Sequence, residues 1–155
     1  MVFNAPIVEL DLYEAVRSRL LSELGPDPLR PEWSPLEAAR RLLSREGKVG
    51  AVLLDQGVMA GVGNILRNEV LFRVGIHPER LVEDLSLREA LDLAYEVERI
   101  SWEFYERKVQ GARVGELFKV YNRAGRPCPN CGHPIKMYIQ QPIGRRTFIC
   151  ERCQR

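Results

Sequence analysis

The sequence has no cysteine before position 128, two histidines in all, and no run approaching the roughly eighteen apolar residues that a membrane-spanning helix needs. The missing run excludes a transmembrane helix. The opening Met1-Val2-Phe3-Asn4-Ala5-Pro6 also lacks the basic start and apolar stretch of a secretory signal. A soluble, cytoplasmic protein with no membrane partner is therefore expected. Internal repeats and low-complexity tracts are absent too. What is present is 45% hydrophobic residues over 155 positions, enough to build the core of one ordinary domain or two small ones.

The net charge of +2 conceals an uneven distribution. Residues 1–109 carry 14 Lys and Arg against 19 Asp and Glu, while residues 110–155 carry 9 against 2, so the last part alone is +7. A compact segment of that basic density points to a polyanion, and with cysteines in it, to nucleic acid more than to a lipid surface.

The four cysteines form two Cys-x-x-Cys pairs, Cys128/Cys131 and Cys150/Cys153, with 18 residues between them. This is zinc-ribbon spacing. Each pair wraps two thiolates around one side of a tetrahedral ion, and the intervening residues return the second pair as a hairpin. Two disulfides are the alternative, disfavoured in the reducing compartment expected here. His133 stands close to Cys131, but four thiolates already fill a tetrahedron, and His133 and His77 read as ordinary loop residues.

Val2 to Leu12 mixes β-branched, aromatic and short polar residues around a proline and reads as a strand or extended segment. The spacing of Leu12, Val16, Leu20 and Leu24 predicts a helix that Gly25-Pro26-Asp27-Pro28 ends. Ser34-Pro35-Leu36-Glu37 starts another, running to about Leu43, with Ser34 as cap and Glu37 reaching back to it. Val49 to Leu54 is assigned to a further helix, followed by turns at Gly57 and Gly61-Val62-Gly63. A helix capped by Asn64 closes at Gly75 and Pro78, and a second capping box, Ser86 to Glu89, opens the longest helix. That helix runs to about Val109 with Leu87, Leu91, Ala94, Val97, Ser101 and Phe104 on one face. Leu117 to Tyr121 reads as extended, and a metal-held hairpin is expected from Cys128 onward.

Glycines ahead of a helix beginning at Asn64 make an anion site on physical grounds. First-turn amides have no partner within the helix, the helix dipole favours negative charge, and a residue such as Gly63 lets a phosphate approach the backbone. A tight turn between helices is the plainer use of the same glycines.

The stretch from Leu53-Leu54-Asp55-Gln56 through Ala60-Gly61-Val62-Gly63-Asn64-Ile65 to Gly75-Ile76-His77-Pro78 closely resembles the helix-two-turn-helix signature of the formamidopyrimidine-DNA glycosylase and endonuclease VIII family. Val120-Tyr121-Asn122-Arg123, Cys131-Gly132 and Gly144-Arg145-Arg146-Thr147-Phe148-Ile149-Cys150 are similar to its C-terminal zinc finger, and Leu24-Gly25-Pro26-Asp27-Pro28-Leu29 to its interdomain region. The resemblance implies a mainly α fold: a remnant of the family's N-terminal domain and linker over 1–25, a helix-two-turn-helix domain over 26–120, and a four-cysteine zinc finger over 121–155. It also implies that Asn64 and Arg145 hold DNA phosphates, with Gly63, Arg146 and Thr147 as further DNA-binding candidates. Asp55 and Glu69 would organise the pocket, and Cys128, Cys131, Cys150 and Cys153 would bind zinc. The implied partner is double-stranded DNA with a damaged or abasic site.

Two departures shape the expectation. The family's N-terminal proline nucleophile, the glutamate after it and a lysine deeper in the same domain have no counterparts here, so no catalytic residue is assigned. No glycosylase activity is expected from this chain alone. It then reads as the DNA-gripping part of a glycosylase/lyase; the alternatives are one subunit of a split enzyme completed by a separate catalytic chain, or a stand-alone DNA-binding zinc protein. Second, Gly50 stands where formamidopyrimidine glycosylases carry a lysine, and Leu66-Arg67 follows Asn64-Ile65. Both lean toward the endonuclease VIII branch, whose substrates are mostly oxidised pyrimidines.

Overall fold

The computed structural model describes residues 12–155, so the extended reading of Val2 to Leu12 lies outside the described residues except at its last position. Among the described residues five α-helices precede one antiparallel hairpin: α1 (Tyr13–Glu23), α2 (Pro35–Leu43), α3 (Val49–Val52), α4 (Asn64–Val74), α5 (Leu87–Val109), β1 (Lys136–Gln140) and β2 (Arg145–Ile149). This is the expected mainly α chain with a zinc-ribbon hairpin behind it.

Local chemistry fixes the two best-defined starts. In α2 the Ser34 hydroxyl accepts from Glu37 N–H at 3.3 Å and Pro35 fills the first helical position, where no N–H is required. The Glu37 carboxylate does not reach back to the cap; it pairs with Arg41, one turn on, at 2.8 Å. In α5 the box is complete: Glu89 accepts from Ser86 N–H at 2.9 Å and Ser86 from Glu89 N–H at 3.2 Å. α2 lays Ala38, Ala39 and Leu42 against α5, whose Ala90, Leu93, Ala94, Val97 and Ile100 face inward, and α4 adds Val70 and Leu71 to the same core. Of the face expected on α5, Leu87 is half exposed.

Two expectations change. The helix from Val49 stops at Val52, because Asp55 turns its carboxylate onto Gly57 N–H at 2.8 Å and ends the regular backbone. The segment Leu117 to Tyr121 is not a strand. A 3₁₀ turn at Val114–Leu117 leads into a loop whose N–H groups at Lys119, Val120 and Tyr121 donate to the Glu69 carboxylate at 2.8, 3.0 and 2.8 Å. A side chain fifty residues earlier supplies the acceptors that a sheet neighbour would have given.

A second, smaller core joins Phe72 of α4 to Val120, Cys128, Ile135, Phe148 and Cys150. α4 is thus buried on opposite sides: Arg67, Asn68, Glu69, Val70, Leu71 and Phe72 are all buried. Beside this core Asn122 holds φ at 58°, in the left-handed region. Asparagine tolerates that backbone and a β-branched residue does not. Asn122→Val is expected to lower stability by about 1–2 kcal/mol and Asn122→Gly to leave it within about 0.5 kcal/mol, read from thermal melts.

Candidate nucleic-acid interface and metal centre

The four sulfurs converge. All lie within 4.8 Å of one another, with Cys131 and Cys150 Sγ atoms 3.4 Å apart and those of Cys128 and Cys153 3.8 Å apart; no disulfide links them. A tetrahedral ion with metal–sulfur bonds of about 2.3 Å needs sulfur–sulfur edges of about 3.8 Å, so the cluster has the size of a four-thiolate site. The backbone around it is that of two knuckles, with Gly132 N–H donating to Cys128 O at 2.9 Å and Gln154 N–H to Cys150 O at 3.0 Å. The backbone N–H of His133 pulls the Cys131 thiol down to about 7, while burial pushes Cys150 and Cys153 up. A cation among the sulfurs would favour the thiolate forms of Cys150 and Cys153 that burial opposes. His133 enters only through its backbone, and the ring of His77 accepts from Glu79 N–H at 3.2 Å.

The turn before α4 is braced by Gln56, whose amide donates to the carbonyl of Val62 at 3.1 Å and accepts from Gly61 N–H at 2.8 Å. Gly61 sits at φ 82°, which an L side chain rarely adopts. The helix cap is Gly63, not Asn64 as expected; Asn64 is the first helical residue. Among the described residues, the backbone N–H groups of Asn64, Ile65 and Leu66 meet no acceptor, and the space a Gly63 side chain would occupy is open. The dipole end of an eleven-residue helix is thus exposed with its donors free.

The hairpin brings its cations to this end. Asn64 Nδ2 donates to the carbonyl of Arg146 at 3.1 Å, so the helix start and the first residues of β2 touch. Both Arg145 and Arg146 are exposed, and among the described residues neither has a carboxylate partner. Of the nine basic side chains in 110–155, only Lys136 is ion-paired among the described residues, to Glu151 at 2.7 Å. The positive excess seen in the sequence is therefore left almost wholly un-neutralised.

Thr147, expected on the DNA-binding surface, is fully buried, and its hydroxyl accepts from Arg67 at 2.6 Å. It lies on the inward side of β2, spent on an internal donor. Arg67, Asn68 and Gln140 hold the hairpin in place, and sequence reasoning had given none of them a part in the site. Asn68 accepts from Phe148 N–H at 2.7 Å, and Gln140 donates to Pro78 O at 2.8 Å. Only the run of three polar residues, Arg67-Asn68-Glu69, in the middle of α4 could have signalled the first two. Asp55 stays at the surface, paired with Arg45 at 3.0 Å; Glu69 is fully buried, away from the helix start.

Residues 24–113 match the family model described as the formamidopyrimidine-DNA glycosylase H2TH domain. The chain is 42% identical over 154 residues to the formamidopyrimidine-DNA glycosylase of Geobacillus kaustophilus, covering 92% of this chain and 55% of that one. For the enzyme of the same name from Symbiobacterium thermophilum the identity is 39%, covering 86% and 47%. Among solved structures it is similar to the MutM (Fpg) protein of Thermus thermophilus, at TM-score 0.77 and 33% identity over 89% of this chain and 56% of that one. It is also similar to Lactococcus lactis Fpg in complex with DNA containing an abasic site, at TM-score 0.81 and 25% identity over 94% and 56%. The chain spans about half the length of the curated relatives it matches.

Proposed function

Because the chain belongs to the formamidopyrimidine-DNA glycosylase family, we propose that it grips the phosphate backbone of double-stranded DNA beside a damaged or abasic nucleotide, as the binding part of a base-excision glycosylase/lyase. One observation carries this reading: the first-turn amides of α4 and the guanidinium of Arg145, without acceptor or carboxylate partner among the described residues, lie on elements joined at Asn64 and Arg146. On this reading Asn64 and the amides at Gly63-Asn64 take one phosphate, while Arg145 takes a neighbouring one, helped by Arg146; a guanidinium fork suits phosphate better than an ammonium. Cys128, Cys131, Cys150 and Cys153 hold zinc, which supplies no chemistry of its own here and folds the finger. Asp55 and Glu69 organise the turn and the loop behind it. The residues brought together are donors and cations rather than a nucleophile with its acid and base, so base excision is assigned to a catalytic half, which a separate chain supplies in the split-enzyme alternative.

The finer leaning, toward endonuclease VIII-like substrates, rests on Gly50 and Arg67. A side-chain carbon at Gly50 would meet Gln140 at 2.7 Å and Pro78 at 3.0 Å, so the lysine of the other branch has no room unless Gln140 gives way.

Fluorescence anisotropy with an abasic-site duplex tests the grip. Arg145→Ala is expected to weaken binding by about 2 kcal/mol, roughly thirtyfold, and to flatten the dependence of log affinity on log salt by about 0.9, one phosphate contact. Unchanged affinity and slope would remove Arg145 from the interface.

A further inference from the structure

Arg67 is the one arginine whose whole residue is buried among the described residues, and its guanidinium meets no carboxylate. Its four acceptors are neutral and come from three elements: Gly50 O of α3 at 3.3 Å, Gln140 Oε1 of β1 at 2.8 Å, and Arg146 O and Thr147 Oγ1 of β2 at 3.2 and 2.6 Å. Burying a cation without a counter-charge is costly, and an apolar side chain of like volume would fill the space more cheaply. What the guanidinium offers instead is direction: donors at fixed angles that hold two strands at once. Gln140 is the cross-strand partner of Arg145, and Arg146 is its neighbour, so both strands are held where the exposed cations emerge. Burial lowers Arg67 to about 10, still cationic at neutral pH; Tyr138 and Glu79 oppose that fall, and the like charge of Arg145 adds to it.

Resting on the phosphate-grip reading above, we propose that Arg67 is a positioning residue, locking the hairpin onto α4 so that Arg145 and Asn64 stand at the separation that two neighbouring phosphates require. It touches no DNA itself. Without it the hairpin keeps Asn64, Asn68 and the Gln140–Pro78 bond as anchors but loses the direct links from α4 to Gln140 and Thr147, and Arg145 samples positions in which its phosphate contact is not made.

The test is a binding cycle on the 155-residue chain with an abasic-site duplex at two salt concentrations, with zinc content and melting temperature measured alongside. Arg67→Met is expected to keep one zinc per chain and to weaken binding about tenfold, with the same flattening of the salt dependence as Arg145→Ala; Arg67→Lys restores part of the loss. The double variant Arg67→Met/Arg145→Ala is expected to bind no more weakly than Arg145→Ala alone, because both remove one contact. Thr147→Val, which deletes the shortest of the four bonds, should weaken binding about threefold in the same manner, and it serves if Arg67→Met does not fold. Losses that add in the double variant, or a lower melting temperature with affinity and salt slope unchanged in Arg67→Lys and Thr147→Val, would overturn the positioning role while leaving the grip intact. Wild-type protein with no salt-sensitive affinity would overturn the grip itself, and this inference with it.

Discussion

Stripping the metal with a strong chelator is expected to unfold the hairpin and abolish binding to abasic-site DNA, both recovered when zinc is returned. The second core is six buried residues, two of them cysteines, and a two-stranded hairpin does not stand alone in water. A structural four-thiolate zinc contributes about 10–16 kcal/mol in finger peptides, more than such a core offers. The helical part keeps its own core around α2, α4 and α5, but α4 loses the cover over Arg67, Glu69 and Phe72, so its melting point should fall as well. Metal analysis, tyrosine fluorescence and anisotropy read the three parts of the expectation. A chelated protein that melts and binds as before would show that the sulfurs hold nothing.

The second large effect is expected at Glu69. Its carboxylate is fully buried and takes three consecutive backbone N–H groups, with the Arg73 guanidinium 3.9 Å away. Glu69→Ala leaves those donors buried without an acceptor, an expected loss of about 3–5 kcal/mol in urea unfolding. Glu69→Gln keeps one acceptor oxygen and turns an N–H₂ toward the donors, an expected loss of about 2–3 kcal/mol. The damage reaches the finger because Tyr121, held by this carboxylate, packs edge-on against Phe148 of β2 with ring centres 5.2 Å apart. Near-wild-type stability in both variants would mean that the loop is held by something else.

The parts of the fold that the sequence made legible are those where the signal is local. Ser34-Pro35 and the Ser86/Glu89 box place two helix starts at the right residue, and paired cysteines at ribbon spacing predict a cluster whose size fits a metal. The illegible parts depend on partners remote in sequence. α4 has no apolar stripe because two cores press on it, so its pattern does not mark Arg67 and Asn68 as the fasteners between them. Thr147 follows two exposed arginines, yet β2 is buried at every position after Arg146, and the Thr147 hydroxyl meets Arg67. Leu117 to Tyr121 has strand-like residues, but its amides were already claimed by Glu69.

The missing side chain at position 50 has a consequence for how such sequences can diverge. The carbonyl of Gly50, the head group of Gln140 and the fork of Arg67 share one small volume. A lysine entering there has to displace the head group of Gln140, an amide itself tied to Pro78. An exchange at position 50 is therefore felt at positions 67 and 140, whose head groups border the same space.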